Sequence, residues 1–311
     1  MHNKIPSHFV LQAEVQEALA AGTPVVALES TVITHGLPFP ENLSLATKMQ
    51  AVARAKQATP ATIAVINGEV RIGLDDDSLE QLARDKKARK ISVRDFGAAI
   101  SQKASGGTTV AGTLLTASEV GIKVFATGGI GGVHRDAPFD ISNDLSQLAI
   151  SPLVVVCTGA KAILDLPATL EKLETLAVPV IGYQTDEFPA FYSRESGLPV
   201  SARADTPEEV AAIAKAHWEL AGARGLLVAA PPPAESALPA ADVEKHIRQA
   251  LDEAGEQRII GQAVTPFLLA RVSELSGGAS LKANLALLLN NASIAAQIAA
   301  FLYESKGKIN G

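Results

Sequence analysis

A three-layer α/β/α fold around a central, mainly parallel or mixed sheet follows from three features of this sequence. Short apolar runs alternate along the chain with longer stretches whose apolar residues recur at helical spacing. The apolar runs are continuous rather than alternating, so their strands are covered on both faces, as parallel strands between two helical layers are. The chain has 311 residues, 47% of them hydrophobic, which is enough for such a core. No linker rich in Pro, Gly and Ser divides the chain and no solenoid-period repeat occurs. Residues 1–311 are therefore expected to form a single domain.

Taken in order, the first amphipathic stretch is 14–21, and the run Val25-Val26-Ala27-Leu28 follows it as a strand. A helix over 43–56 leads to a strand over 63–66, then come helices over 78–86 and 109–120. Strands at 124–127 and 154–157 bracket a short helix opened by Ser142 or Asn143 and running through Ala149. A helix at 163–176, a strand at 178–182, a helix at 207–221 and a strand at 226–229 continue the alternation. Pro231-Pro232-Pro233 is a stiff turn. Helices at 241–255 and 266–276 precede the most apolar stretch, 281–303. Asn284, Asn290, Asn291 and Gln297 interrupt that stretch, so it reads as a buried helix rather than a membrane span.

Composition narrows the function. A net charge of −6 gives no electrostatic footprint for nucleic acid or an anionic membrane. Aromatic residues, at 4%, are too few for a base-stacking surface. Cys157 is the only cysteine, which fits a reducing compartment. Residues 1–9 lack an apolar targeting core. A cytoplasmic protein acting on a small molecule is expected.

Lys161 closes the run Leu153-Val154-Val155-Val156-Cys157-Thr158-Gly159-Ala160-Lys161. A lysine just past a buried strand enters the crevice at the strands' carboxyl ends, where open α/β sheets bind ligands. Desolvated there, a lysine can lose its proton and attack a carbonyl to form a Schiff base. The bland alternative is a helix-opening lysine in water. Glu29 ends the run 25–28 in the same way, as a general acid whose pKa burial would raise, or else as a salt-bridge or capping residue.

The other polar candidates are less specific. Ser105-Gly106-Gly107-Thr108-Thr109 precedes a helix and is expected to offer backbone N–H groups to a phosphate, or to be a tight turn. Gly128-Gly129-Ile130-Gly131-Gly132 follows a strand and lets backbone approach a ligand closely. The segment from His134 to Asp144 is dense in ligand types. Asp140 and Asp144 suit a hard cation such as Mg²⁺ or Mn²⁺, against a default of helix capping. Lys90 begins a short strand and is placed to hold a phosphate or to belong to a solvated basic face. His35 has a turn residue as its default, and Asn284 is poorly placed for helix propensity alone.

Longer strings are family-specific. Val26-Ala27-Leu28-Glu29-Ser30-Thr31 with His35-Gly36-Leu37-Pro38-Phe39-Pro40 is one. Others are Phe125-Ala126-Thr127-Gly128-Gly129-Ile130-Gly131-Gly132-Val133-His134-Arg135 and Gly159-Ala160-Lys161-Ala162-Ile163-Leu164-Asp165. With 185–192 and 265–271, they resemble the pseudouridine-5′-phosphate glycosidase family over nearly the whole chain. The resemblance implies an α/β/α fold, a homotrimer, a divalent metal (typically Mn²⁺), and reversible cleavage of pseudouridine 5′-phosphate to uracil and ribose 5-phosphate. By motif position it makes Lys161 the covalent nucleophile and Glu29 the proton donor. It places Lys90, Val110, His134, Ser142, Asn143, Asp144 and Asn284 against substrate, and Asp140 at the metal. The chain departs from the family pattern at Asp136-Ala137-Pro138, which is shorter, and at Asn143, Thr158 and Ala230. These departures bear on base specificity and rate. Two rivals remain: an aldolase-like Schiff-base lyase acting on a phosphosugar, and a non-catalytic phosphosugar- or nucleotide-binding regulator.

Overall fold

A computed structural model describes residues 5–135, 137–222, 224–259 and 264–303. The main sheet has 11 strands. They are β1 (Phe9–Leu11), β2 (Val25–Leu28), β3 (Thr59–Ile66), β4 (Glu69–Ile72), β5 (Arg89–Ile91), β6 (Gly106–Thr108), β7 (Val124–Ala126), β10 (Val154–Cys157), β12 (Val180–Tyr183), β13 (Ala202–Ala204) and β14 (Leu226–Ala229). A second sheet of three strands joins β8 (Val133–His134), β9 (Ala137–Ile141) and β11 (Leu164–Asp165). The helices are α1 (Ala13–Ala21), α2 (Glu41–Ala55), α3 (Asp76–Arg84), α4 (Phe96–Ser101), α5 (Val110–Glu119), α6 (Asn143–Leu148), α7 (Leu166–Thr175), α8 (Pro207–Ala221), α9 (Ala240–Glu256), α10 (Val264–Leu275) and α11 (Ala279–Tyr303).

The main path runs β1-β4-β3-β2-β7-β10-β14-β12-β13, and β6 bridges β3 and β5. From β3 through β2 to β13 every pairing is parallel, whereas β4 and β6 run antiparallel to β3. The sheet is therefore mixed, and the expected three-layer α/β/α class is what the chain adopts. Every residue of β2, β10 and β14 is buried, as continuous apolar runs require of strands covered on both faces.

Helix α11 is long and apolar enough to cross a membrane by length and composition, the one such helix among the described residues. Half of its most apolar window is buried in the fold, and it packs on α2, α8, β7 and β10. Its Asn291 is fully buried with its amide hydrogen-bonded. That is the arrangement of a core helix.

Two expectations change locally. The helix expected over 163–176 begins at Leu166, because Leu164 and Asp165 pair with β8 and Asp165 caps the helix through Ala168 N. The segment Gly106-Gly107-Thr108 is strand β6 rather than a phosphate-binding turn. A Cβ on Gly106 would lie 2.2 Å from the Arg89 carbonyl oxygen, and one on Gly107 would lie 2.5 Å from Thr34 Oγ1. Glycine is needed there because two backbones pack against each other, and the pairings with β3 and β5 occupy the strand.

Candidate active site

The cleft lies at the carboxyl ends of β2, β7 and β10, where a parallel sheet exposes its strand ends to ligand. Its larger chamber, about 640 Å³, is lined by Glu29, Lys90, Val110, His134, Asp140, Ser142, Asn143, Asp144 and Lys161, with Thr31, Ser92, Arg94, Thr109 and Thr265. A smaller chamber of about 70 Å³ adjoins it and contains His35, Phe191, Asn284 and Leu288. Glu29, Thr31, Lys90, Lys161 and Thr265 face both. Every residue nominated from the sequence thus comes to one cleft, Asn284 in the smaller chamber and the rest in the larger.

Parallel pairing places Lys161. The β7–β10 register continues past both strands: Thr127 N donates to Val156 O (3.0 Å), Thr158 N to Gly128 O (2.9 Å), Ile130 N to Gly159 O (3.1 Å) and Lys161 N to Ile130 O (3.1 Å). The glycine loop after β7 and the lysine loop after β10 therefore run side by side to the cleft. Gly159 takes φ +79°, and a Cβ there would meet the Pro189 carbonyl oxygen at 2.3 Å, so only glycine makes this bend. Arg135 braces the far side, donating to the carbonyls of Ala162 (3.1 Å) and Leu164 (3.2 Å) while paired with Glu244 (2.9 Å).

Glu29 is fixed from the other side. Ser30 Oγ accepts from Thr108 N (2.9 Å) and donates to Ile63 O, and Thr31 Oγ1 donates to Thr108 O (2.7 Å). This stitching holds the end of β2 beside β6. The Glu29 carboxyl is buried and accepts a short hydrogen bond from the Thr127 hydroxyl. Burial raises its pKa; Lys161, the Thr127 hydroxyl and Lys90 oppose the shift, while Asp144 reinforces it. Burial followed by the charge of Lys161 lowers the pKa of Lys90, and Asp144 and Glu29 oppose that. An acid and two amines thus share one partly desolvated cleft.

Asp144 organises the floor. Its Oδ1 accepts from Ala111 N at the start of α5 (2.9 Å) and its Oδ2 from Gly131 N in the glycine loop (2.8 Å). Ser142 caps α6 by accepting from Asp144 N, as the sequence predicts. A Cβ on Gly131 would lie 2.3 Å from Ser142 Oγ, which explains a glycine there.

The expected Mn²⁺ centre is a correction. Among the described residues, no three of His, Cys, Asp and Glu come together to hold a metal ion. Asp140, the nominated ligand, stands exposed on β9, and both oxygens of Asp144 are engaged by backbone N–H groups. Asp136, part of the shortened link, lies outside the described residues.

Sequence reasoning left His35 at its default as a turn residue and gave Phe191 and Thr127 no role of their own. His35 enters the smaller chamber from a tight π-type turn, Val32–Gly36, with Nδ1 2.7 Å from Thr34 Oγ1. Burial and then Lys90 push its pKa down. The run of polar residues directly after a buried strand was the available signal for it. Thr127 ends such a strand too, but nothing in its own sequence context links it to Glu29.

A buried acid and a lysine thus open on one cleft from the ends of β2 and β10, the two strands that flank β7, and the chain is an enzyme by its relatives. Residues 14–301 match the family described as indigoidine synthase A like protein. A pseudouridine-5′-phosphate glycosidase of Solibacter usitatus is 52% identical over 297 residues, covering 95% of this chain and 99% of the relative. The prealnumycin C-glycosynthase AlnA, solved with ribulose 5-phosphate, superposes with a TM-score of 0.89 at 40% identity, covering 96% of this chain and 98% of that one. An indigoidine synthase A-like protein of Thermotoga maritima gives a TM-score of 0.88 at 35% identity, covering 97% and 99%. This chain belongs to the pseudouridine-5′-phosphate glycosidase family.

Proposed function

We propose that this protein reversibly cleaves the C–C glycosidic bond of pseudouridine 5′-phosphate, giving uracil and ribose 5-phosphate. The observation that carries the reading is that Lys161 and the buried Glu29 face both chambers of one cleft. A volume of about 640 Å³ suits a sugar phosphate, since small-molecule pockets run roughly 300–1,000 Å³. The larger chamber takes the ribose phosphate, near Lys90 and the start of α5 at Val110. The smaller takes the base, beside Asn284 and Phe191. His134, Ser142, Asn143 and Asp144 line the sugar phosphate side.

A C–C glycoside has no heteroatom leaving group, so proton transfer alone does not release the base. Lys161 Nζ attacks C1′ and the C1′–O4′ bond breaks, O4′ taking up a proton as the ring opens. Uracil C5 then takes a proton from Glu29. The C1′–C5 bonding pair stays with the base, and the Nζ lone pair stabilises C1′ as an iminium ion. Water hydrolyses the iminium, freeing ribose 5-phosphate and Lys161. Run backwards, the same steps join the two products.

The chain works as a single domain, which the family match across 14–301 supports, in the cytoplasm, which the composition supports, and as the homotrimer that the family resemblance implies. The test is uracil release from pseudouridine 5′-phosphate, with borohydride trapping of the sugar on Lys161. Trapping with a phosphosugar but no release of base would move the reading to an aldolase-like lyase. Binding without turnover, unaffected by Lys161→Ala, would move it to a regulator.

A further inference from the structure

Asn291 sits on the apolar helix α11, fully buried, and its side chain reaches both loops that carry the chemistry. Its Nδ2 donates to the carbonyl oxygen of Thr127 (2.8 Å) and approaches the hydroxyl of Thr158 at 2.9 Å, while Thr158 Oγ1 lies 3.3 Å from Asn291 Oδ1. Thr127 and Thr158 are themselves fully buried. Thr158 lies three residues before Lys161, on the loop after β10. Thr127 lies on the loop after β7, and its hydroxyl donates to Glu29 Oε1. A fully buried amide in the middle of a mainly apolar helix is explained by this crosslink, because burying it unpaired would be unfavourable.

We propose that Asn291 is a positioning residue for the proton donor: by clamping Thr127 to Thr158, it holds the Thr127 hydroxyl on Glu29 in register with the lysine loop. The Thr127 hydroxyl occupies Oε1, so the acidic proton is carried on Oε2. The donor oxygen is thereby selected before substrate arrives, which is preorganisation of a proton transfer. The charged groups acting on Glu29 are Lys161 after β10, Lys90 on β5 and Asp144 on α6, and none of them is Asn291 or Thr127. A change in Glu29's behaviour on removing Asn291 therefore reports the hydrogen-bond chain rather than a lost charge. Contacts elsewhere reinforce the geometry: a Cβ on Gly128 would meet the side chains of Leu287 and Leu288 of α11 at 3.2–3.3 Å, so helix and loop are already in van der Waals range.

The inference rests on the proposed C-glycosidase reaction with Glu29 as acid, and the experiment separates the two. Asn291→Leu, Thr127→Val, Thr127→Ser and the Asn291→Leu/Thr127→Val double variant are compared with the wild type. The readouts are kcat, KM, the pH profile of uracil release and borohydride trapping on Lys161. If the wild type forms no trapped adduct and releases no base, the reaction itself is wrong. With the reaction in place, Thr127→Val is expected to lower kcat by up to about 100-fold, the low end of the roughly 10²–10⁴-fold that a positioned general acid contributes, with KM little changed. Its basic limb moves to higher pH, because the lost hydroxyl had favoured the carboxylate, while trapping on Lys161 persists. Asn291→Leu moves kcat and the limb in the same direction by less. Thr127→Ser stays near the wild type, and the double variant is no slower than Thr127→Val. Losses that multiply in the double variant, or Asn291→Leu with a wild-type kcat and limb, would overturn the proposal even if the protein melts earlier. Should Asn291→Leu not fold, Asn291→Ala takes its place, and an unmoved limb in Thr127→Val overturns the proposal alone.

Discussion

Replacing Asp144 by asparagine tests the cleft's construction. The carboxylate accepts one buried N–H on each oxygen, from Ala111 at 2.9 Å and from Gly131 at 2.8 Å. An asparagine has one acceptor oxygen and one amino group, so however it turns, one N–H faces another donor. A hydrogen bond to a charged group contributes about 1.5–3 kcal/mol, and a buried donor left unpaired costs about 1–3 kcal/mol. The two overlap, so the net loss is about 2–4 kcal/mol. At about 1.5 °C per kcal/mol for a chain of 311 residues, Tm falls by about 3–6 °C. Thermal melts or urea unfolding at neutral pH read this directly. A second signature is kinetic. The negative charge of Asp144 helps to raise Glu29's pKa and supports the charge on Lys90. In Asp144→Asn both pKa values fall, so Glu29 loses its proton at lower pH and the basic limb of the rate profile moves down. A variant as stable as the wild type within about 0.5 kcal/mol, with an unmoved limb, would refute the bridging role and its electrostatic consequence together.

Lys161→Ala should abolish both borohydride trapping and turnover while leaving the circular dichroism spectrum unchanged; normal turnover would remove the nucleophile. Glu29→Gln should still trap sugar on Lys161 when supplied with ribose 5-phosphate, yet release no uracil from the nucleotide. Its stability carries a pH signature as well. The folded pKa of Glu29 lies above 4.5, so the wild type gains stability from the proton at low pH and loses it as pH rises through the folded pKa. The advantage of Glu29→Gln should therefore grow from about pH 4.5 upward and then level off, and a pH-independent difference would contradict the burial argument. Lys90→Met should weaken binding of a phosphorylated substrate by about tenfold or more, as loss of a charge-assisted contact does. It should also move the basic limb up, since Lys90 opposes the rise in Glu29's pKa; unchanged KM and limb would place Lys90 outside the site. Gly159→Ala should be destabilised by at least about 1–2 kcal/mol from its positive φ alone, measured by urea unfolding.

The elements legible in the sequence were those with a continuous physical signal. The strands β2, β10 and β14 match their apolar runs residue for residue, because a strand buried on both faces leaves no polar position to blur its ends. The starts of α6 and α8 were legible for a local reason too: Ser142 caps the first, and the second begins at Pro207, a residue suited to the first turn of a helix. Strands of two or three residues such as β6, β8 and β11 were not, since their pairing is set by distant partners. The glycines of β6 carried a signal for close approach, but the approaching group is backbone rather than phosphate.

The nominated site residues split along the same line. Glu29 and Lys161 could be named because each ends an apolar run, and a charged group there has nowhere to go but the strand-end crevice. Asp140 and Asp144 looked alike in sequence, two carboxylates four residues apart. Only the fold separates them: Asp140 extends along an exposed hairpin strand while Asp144 turns inward to two buried N–H groups. Helix capping was their default reading, and the hard-cation alternative needed both carboxylates on one helix face. Ser142 caps α6 between them, so only Asp144 is helical, and that condition fails at the cap. Asn291 is the converse case. With Asn284, Asn290 and Gln297 it made the stretch read as a buried helix, but it was silent about the two loops it joins, because those loops lie 164 and 133 residues away. Burial and charge at a strand end are local properties and can be read from one segment, whereas what holds an acid in place against an amine depends on contacts between segments far apart in the chain.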